Sequence, residues 1–299
     1  VHLPSSDADT RPIWVLEVGG SHVTAAGVLL DDRQVIQRQR HPLDPSLSAD
    51  GIVDALARAA KLLDPQAGDR WAIAMPGPFD YRTGVSLHEG VGKFDSLHGL
   101  DLRAALAHAI PAAADAFTFV NDADAFLLGE WVDGAAKGAS RCVAITLGTG
   151  IGSAWLADGS VVTTGPTVPP DGEVHFCTID GVELEDVVSD RALIRAYRDA
   201  TGIDVDGMRG LAVRARELDA AAQTVIDTAF GALGLLLTEW LTRFDAEVVV
   251  FGGSMTGAWD LIEPALALTL PARPVSDTEH AALIGAAWAA AHPSAAVYG

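Results

Sequence analysis

At 299 residues with 49% apolar side chains, the chain can bury a sizeable core, either as two units or as one large α/β domain. Its 40 acidic residues against 20 basic ones give a formal charge of −20, which repels nucleic-acid phosphates and anionic lipid and argues against both as partners. Two cysteines, Cys142 and Cys177, are too few for a disulfide framework and neither lies in a C-x-x-C pair, a usage that fits a reducing cytoplasm.

The first ten residues are polar and acidic, without the basic and apolar blocks of an export signal. The longest apolar stretch, Ala281 to Ala291, is too short to span a bilayer, so neither export nor anchoring is expected. Residues Pro12 to Leu30 contain two apolar runs around Gly19-Gly20 and predict a β-hairpin. A helix follows from Ser48 to Leu63, with Ile52, Leu56, Ala59 and Leu63 on one face. Trp71 to Met75 predicts a buried strand ended by Pro76-Gly77-Pro78, then a long irregular stretch, Phe79 to Gly99, and a short helix, Leu102 to His108.

The pattern then restarts with a strand from Ala116 to Val120, a helix from Ala123 to Ala136, and strands Cys142 to Leu147 and Gly152 to Leu156 around a glycine turn. A glycine turn after an apolar strand near the start of each half suggests duplicated lobes. Thr163 to Gly181, rich in Pro, Gly and Thr, predicts a functional surface loop. Ala221 to Leu241 carries the clearest 3.6-residue period, through Ile226, Phe230, Leu233, Leu237, Trp240 and Leu241. A strand, Glu247 to Phe251, runs into Gly252-Gly253-Ser254, and an alanine-rich helix, Glu279 to Ala291, closes the chain.

Three glycine turns thus end apolar strands. In Glu17-Val-Gly-Gly-Ser21, Gly19 and Gly20 let backbone N–H groups approach an anion with no Cβ in the way. Leu147-Gly-Thr-Gly-Ile-Gly152 adds three glycines and the Thr149 hydroxyl between two strands, which is not the strand-to-helix context of a dinucleotide fingerprint. The third, Gly252-Gly253, allows a flat ring close to the backbone. A chain this acidic has to meet a nucleotide's phosphates with backbone N–H groups and a divalent cation. Between the first two turns, Val120-Asn-Asp-Ala-Asp-Ala125 ends a strand and opens a helix. Asp122 can cap that helix or act as a general base, with Asn121 fixing a substrate hydroxyl.

Together with Met75-Pro-Gly-Pro-Phe-Asp80, these segments resemble the ROK family of bacterial sugar kinases and related repressors, over about Trp14 to Ala290. The resemblance implies an α/β fold of two actin-like, ribonuclease H-like lobes around an ATP cleft. The first lobe is expected over residues 1–118 and the second over 119–299, with the final helix packing back on the first. It implies ATP and Mg²⁺ as cofactors, with Asp122 as catalytic base. Glu17, Gly19, Gly20 and Ser21 would form the first phosphate loop, Gly148, Thr149 and Gly150 the second, and Gly252 and Gly253 the adenosine contact. Gly77, Pro78 and Asn121 would shape the sugar pocket, with Glu173, His175 and Glu185 as further substrate contacts, and a homodimer is compatible with the family.

Three departures from the family pattern stand out. Gly172-Glu-Val-His175 is one residue short of the Glu-x-x-His spacing, and only Cys177 follows where relatives hold a structural zinc with three cysteines, so no zinc is expected. Glu17 replaces the usual aspartate and His22 a frequent lysine; the longer carboxylate can still reach magnesium through water. About a dozen residues precede Trp14, where family repressors carry a helix-turn-helix domain, which favours a kinase. Lys93, Phe94, Asp95 and His98 are candidates to line the substrate pocket. The expected activity is therefore phosphorylation of a hydroxyl of a hexose, amino sugar or cyclitol in the cytoplasm. The alternative is a sugar-binding regulator of the same fold without turnover.

Overall fold

Gly19 and Gly20 close the first hairpin of a five-stranded sheet. In the computed structural model, which describes residues 11–293, β1 (Ile13–Val18) and β2 (His22–Leu29) pair antiparallel, Trp14 facing Gly27. A methyl group at Gly27 would lie 2.6 Å from the Trp14 ring, so the glycine makes room for the indole. The ten N-terminal residues read above for an export signal lie outside the described residues.

The edge strand β3 (Gln34–Pro42) extends the hairpin and is largely exposed, its polar side chains suited to an edge. Helix α1 (Ala49–Lys61) starts where the Ser48 hydroxyl accepts the Gly51 N–H at 3.2 Å, and its predicted face, Ile52, Leu56 and Ala59, is buried. β4 (Trp71–Met75) runs parallel to β1 and is buried throughout, as a near-continuous apolar run in a parallel pair predicts. The stretch read as irregular contains a short ribbon, β5 (Phe79–Asp80) with β6 (Val85–Ser86), before α2 (Leu102–Ala109), which the Asp101 carboxylate caps. β7 (Phe117–Asn121) then pairs parallel with β4, giving the order β3-β2-β1-β4-β7, and leads directly into α3 (Asp122–Asp133).

The second sheet repeats the first. β8 (Arg141–Leu147), β9 (Ile151–Ala157) and β10 (Ser160–Val161) form an antiparallel meander around the second glycine turn. A small ribbon, β11 (Thr178–Ile179) with β12 (Val182–Glu183), precedes the helices α4 (Glu185–Val188), α5 (Asp190–Thr201), α6 (Gly207–Arg216) and α7 (Ala220–Phe244). β13 (Val248–Gly252) pairs parallel with β8; after α8 (Trp259–Leu266), β14 (Ala272–Pro274) pairs parallel with β13, and α9 (Thr278–Ala291) ends the described fold. The order β10-β9-β8-β13-β14 has the same antiparallel and parallel steps as the first sheet, the duplication that the recurring glycine turns suggest.

The chain divides into two compact units, one running up to Ala125 and resuming at Ala282, the other spanning Phe126–Ala281. Trp71, Phe117 and Phe119 sit in the core of the first, where α1 packs on β1 and β2 and α2 packs beside α1. In the second, α7 is apolar and long enough to cross a membrane, a stretch longer than Ala281 to Ala291. Its stripe of Ile226, Phe230, Leu233, Leu237 and Leu241 is instead buried in that unit's own core.

The segment from Thr163 to Gly181 lies largely at the surface, but it is anchored more deeply than its composition suggests, because Val168 and Val174 are core residues. The Ser153 hydroxyl donates to the Gly172 carbonyl at 2.8 Å and accepts the Val174 N–H at 2.9 Å, and the Trp155 indole donates to the same carbonyl. Two valines among prolines and glycines carry no periodic signal, which is why the composition resembles a surface loop.

Candidate functional site

In the first unit, register brings three sequence motifs to one edge. Glu17 stands beside Ala74, and Ala74 beside Val120, so the first glycine turn, Pro76-Gly77-Pro78 and Asn121-Asp122 all leave the carboxyl ends of adjacent parallel strands. Strands lie about 4.8 Å apart, and the carboxyl edge of a parallel sheet is where open α/β folds bind ligands.

At the first turn the Gly19 N–H donates to the His22 carbonyl at 2.9 Å, and a Cβ on Gly19 would come within 2.7 Å of the His22 ring. The Ser21 carbonyl accepts the Leu43 N–H, and the Ser21 side chain is exposed. His22 Nε2 lies 3.7 Å from the Glu17 carboxylate, and Nδ1 lies 3.2 Å from the Arg40 guanidinium. The two departures at this turn are therefore in contact with each other.

At the third strand end the helix cap is Asn121, one residue earlier than the capping role considered for Asp122. Asn121 Oδ1 accepts the N–H groups of Ala123 and Asp124 at 2.8 and 3.2 Å. Asp122 is thus the first helical residue, half-buried, its carboxylate accepting the Ala123 N–H at 3.0 Å and favoured by the positive end of α3. Asn121 Nδ2 donates to the Tyr81 hydroxyl at 2.9 Å, and that hydroxyl donates to the Met75 carbonyl at 3.0 Å. Gly77, joined to Pro78 by a cis peptide bond, has its α-carbon against this pair, since a Cβ there would sit 3.5 Å from the Tyr81 hydroxyl. Tyr81 is absent from the sequence reading, although it directly follows the Met75–Asp80 motif.

Of the four residues nominated for the pocket loop, Phe94 is a correction. It is buried in the core and its ring meets His88 edge-on, so it cannot contact a ligand. Asp95 accepts the N–H groups of Val91 and Gly92, both at 3.1 Å, fixing the turn before it, and His98 is exposed at the end of a short 3₁₀ turn. Lys93 reaches the first glycine turn, with its ammonium 3.0 Å from where a Cβ on Gly20 would be. His88, almost wholly buried, holds the Ser86 hydroxyl at 2.9 Å. Burial pushes its imidazole below the ordinary histidine range, against the opposing pull of Asp95 and the Pro76 and Gly77 carbonyls.

In the second unit, the second and third turns abut. The Leu147 carbonyl occupies the space a side chain at Gly253 would need, and a Cβ on Gly148 would touch the Ser254 hydroxyl at 3.4 Å. Gly253 has φ +93°, and its N–H donates to the Thr278 hydroxyl at 3.2 Å. Gly252 faces the Phe126 ring and the Thr278 methyl group, each 2.9 Å from a hypothetical Cβ, so the missing side chain there serves packing. At the second turn the Gly148 N–H donates to the Gly150 carbonyl, while the exposed Thr149 lies between them.

Glu185 opens α4 and accepts the Ile151 N–H at 3.0 Å, with its carboxylate against Gly150. The carboxylate expected at a substrate hydroxyl is therefore tied to the second glycine turn. The Asp190 N–H donates to the Gly148 carbonyl at 3.2 Å, just after Ser189 caps α5. His175 Nδ1 lies 3.3 Å from the Glu173 carboxylate, so the shortened spacing still pairs these two side chains. The Glu173 hydrogen bond outweighs partial burial and pushes the His175 imidazole above its usual range, helped by the charges of Glu173, Glu185 and Glu183.

Among the described residues no three His, Cys, Asp or Glu side chains gather as a metal set. Both cysteines are free. The buried Cys142 thiol is pushed up to about 12, chiefly by burial and then by Glu247, and is inert as a nucleophile. A surface depression of about 390 Å³ lined by Asp204, Arg209, Arg214 and Glu217 includes none of the residues described above.

Two sheets of identical topology, each with a glycine turn after its first strand, define an actin-like α/β protein. The chain belongs to the ROK family, whose sequence profile matches residues 14–295. It is 25% identical over 273 residues to a glucokinase of Thermotoga maritima, covering 83% of each chain. It is 28% identical over 268 residues to an N-acetylmannosamine kinase of Escherichia coli O139:H28, covering 84% of this chain and 87% of that one. Among solved structures it matches the ROK hexokinase of Thermus thermophilus with a TM-score of 0.75 at 25% identity, over 92% of this chain and 96% of that one.

Proposed function

We propose that this protein is an ATP-dependent carbohydrate kinase that phosphorylates a hydroxyl of a hexose, amino sugar or cyclitol. The observation that carries the reading is Asp122, a half-buried carboxylate at the first residue of α3, just after the Asn121 cap and on the same sheet edge as the first glycine turn. The sugar kinases among its relatives support the substrate class.

In this reading the acceptor hydroxyl attacks the γ-phosphorus of ATP, the bond to the β,γ-bridging oxygen breaks, and ADP leaves. Asp122 takes the hydroxyl proton as the new P–O bond forms. The backbone N–H groups of Gly20 and Ser21 and of Thr149 and Gly150 meet phosphate oxygens, Gly19 and Gly148 spending theirs on closing the two turns, and Gly252 and Gly253 present backbone to the adenosine. Magnesium, when bound with ATP, offsets phosphate charge; Glu17, beside the first turn, fits an outer contact to it through water.

Gly77, Pro78 and Asn121 border the sugar, which Glu173, His175 and Glu185 contact as hydrogen-bond partners. Tyr81 joins this group as a positioning residue, because it holds the Asn121 amide. The protein works in the cytoplasm without nucleic acid or membrane, and a homodimer fits the reading.

The test is to incubate the protein with ATP, Mg²⁺ and a panel of hexoses, N-acetylhexosamines and cyclitols, following ADP and sugar phosphate together. Equal amounts of both with at least one acceptor are expected. Thermal stabilisation by a sugar with no ADP from any acceptor would instead identify a regulator that binds without turnover.

A further inference from the structure

We propose that Lys93 is a phosphate-binding residue, its ammonium meeting the terminal phosphates of ATP over the Gly19-Gly20-Ser21 turn. The inference rests on the kinase reading above and assigns a residue that the glycine motifs do not contain. The Lys93 stem lies along Gly20: Nζ, Cε and Cδ stand 3.0, 3.5 and 3.6 Å from the position of a Cβ there. A side chain at residue 20 would therefore press against the lysine. A glycine whose bare face is lined by an ammonium leaves a small, positively charged approach to backbone N–H groups, the chemistry that suits a phosphate.

The base of this lysine is firmly held. Asp95 binds the Val91 and Gly92 N–H groups, the Phe94 N–H donates to the Pro45 carbonyl at 3.0 Å, and the Ser96 hydroxyl donates to the Leu47 carbonyl at 2.6 Å. Phe94 is buried in the core with φ +60°. Lys93, between these anchors, is exposed and makes no ion pair with any described residue. A lysine left without a carboxylate partner is notable in a chain with 40 acidic residues and 20 basic ones.

The surrounding charge points the same way. Arg40 reaches His22 of the same turn, and His22 in turn lies 3.7 Å from the Glu17 carboxylate. In a protein of charge −20, a lysine at the turn lowers the cost of bringing a polyanion to the surface. The Gly77–Tyr81–Asn121 group is served by other atoms, and Lys93 touches the glycine turn, which separates phosphate binding from sugar binding as its role.

The experiment compares wild type, Lys93→Met and Lys93→Arg by calorimetric binding of Mg²⁺–AMPPNP and of adenosine, with KM for ATP and for the best acceptor measured alongside. Lys93→Met should weaken AMPPNP binding about tenfold or more and raise KM for ATP in parallel. Adenosine affinity, acceptor KM and thermal stability should stay unchanged, and Lys93→Arg should recover most of the loss. Unchanged AMPPNP affinity in Lys93→Met, or a rise confined to acceptor KM, overturns the assignment while leaving the kinase reading intact. A wild type that binds neither AMPPNP nor ATP overturns both.

Discussion

The carbonyl oxygen of Leu147 fills the space where Gly253 would carry a side chain, so the second and third glycine turns are locked together by direct backbone contact. Gly253 also has φ +93° and ψ 174°, a conformation open essentially only to glycine. Gly253→Ala is therefore strained in its own backbone and collides with a strand end that parallel pairing between β8 and β13 holds in place. A loss of about 2–4 kcal/mol is expected, read as a lower urea midpoint with an unchanged slope. A wild-type midpoint would show that the two turns are not rigidly joined.

Tyr81 links two elements of the first unit through one oxygen, donating to Met75 and accepting from Asn121. Tyr81→Phe removes that oxygen and both of its hydrogen bonds, in a largely buried setting, which costs about 1–3 kcal/mol. Because Asn121 also caps α3 beside Asp122, turnover should fall as well. Urea unfolding and steady-state rates on the same preparation check both effects.

Two histidines give opposite pH signatures. His88 has its folded-state pKa below the ordinary value of 6.5, so its contribution to stability is complete above that value and is lost as pH falls through the folded pKa. His175 has its folded-state pKa raised by Glu173, so its contribution is complete below 6.5 and is lost as pH rises through the folded pKa. Urea unfolding across this range should show His88→Gln with a flatter limb below 6.5 and His175→Gln with a flatter limb above it. Parallel shifts of the whole curve, with no change in slope, would contradict both assignments.

How far the sequence carried these conclusions depended on the range of each interaction. Trp71 to Met75 was legible to the residue because a fully apolar run bounded by Pro76-Gly77-Pro78 has few other solutions, and α7 because its stripe repeats over many turns. The cap of α3 was one residue off, since Asn121 and Asp122 are both good caps and only the hydrogen bonds distinguish them. Contacts across many residues left no local trace: Glu185 against Ile151, Lys93 over Gly20, and the hydroxyl of Tyr81. The burial of Val168 and Val174 was hidden by the prolines and glycines around them.

The most direct test of the account is the acid–base role of Asp122. Asp122→Asn keeps the size of the side chain and leaves the Asn121 cap in place, so folding and AMPPNP affinity should match wild type. With ATP, Mg²⁺ and the best acceptor, single-turnover transfer should fall by about 10²–10⁴-fold. An Asp122→Asn protein that makes sugar phosphate at the wild-type rate would contradict the account at its centre.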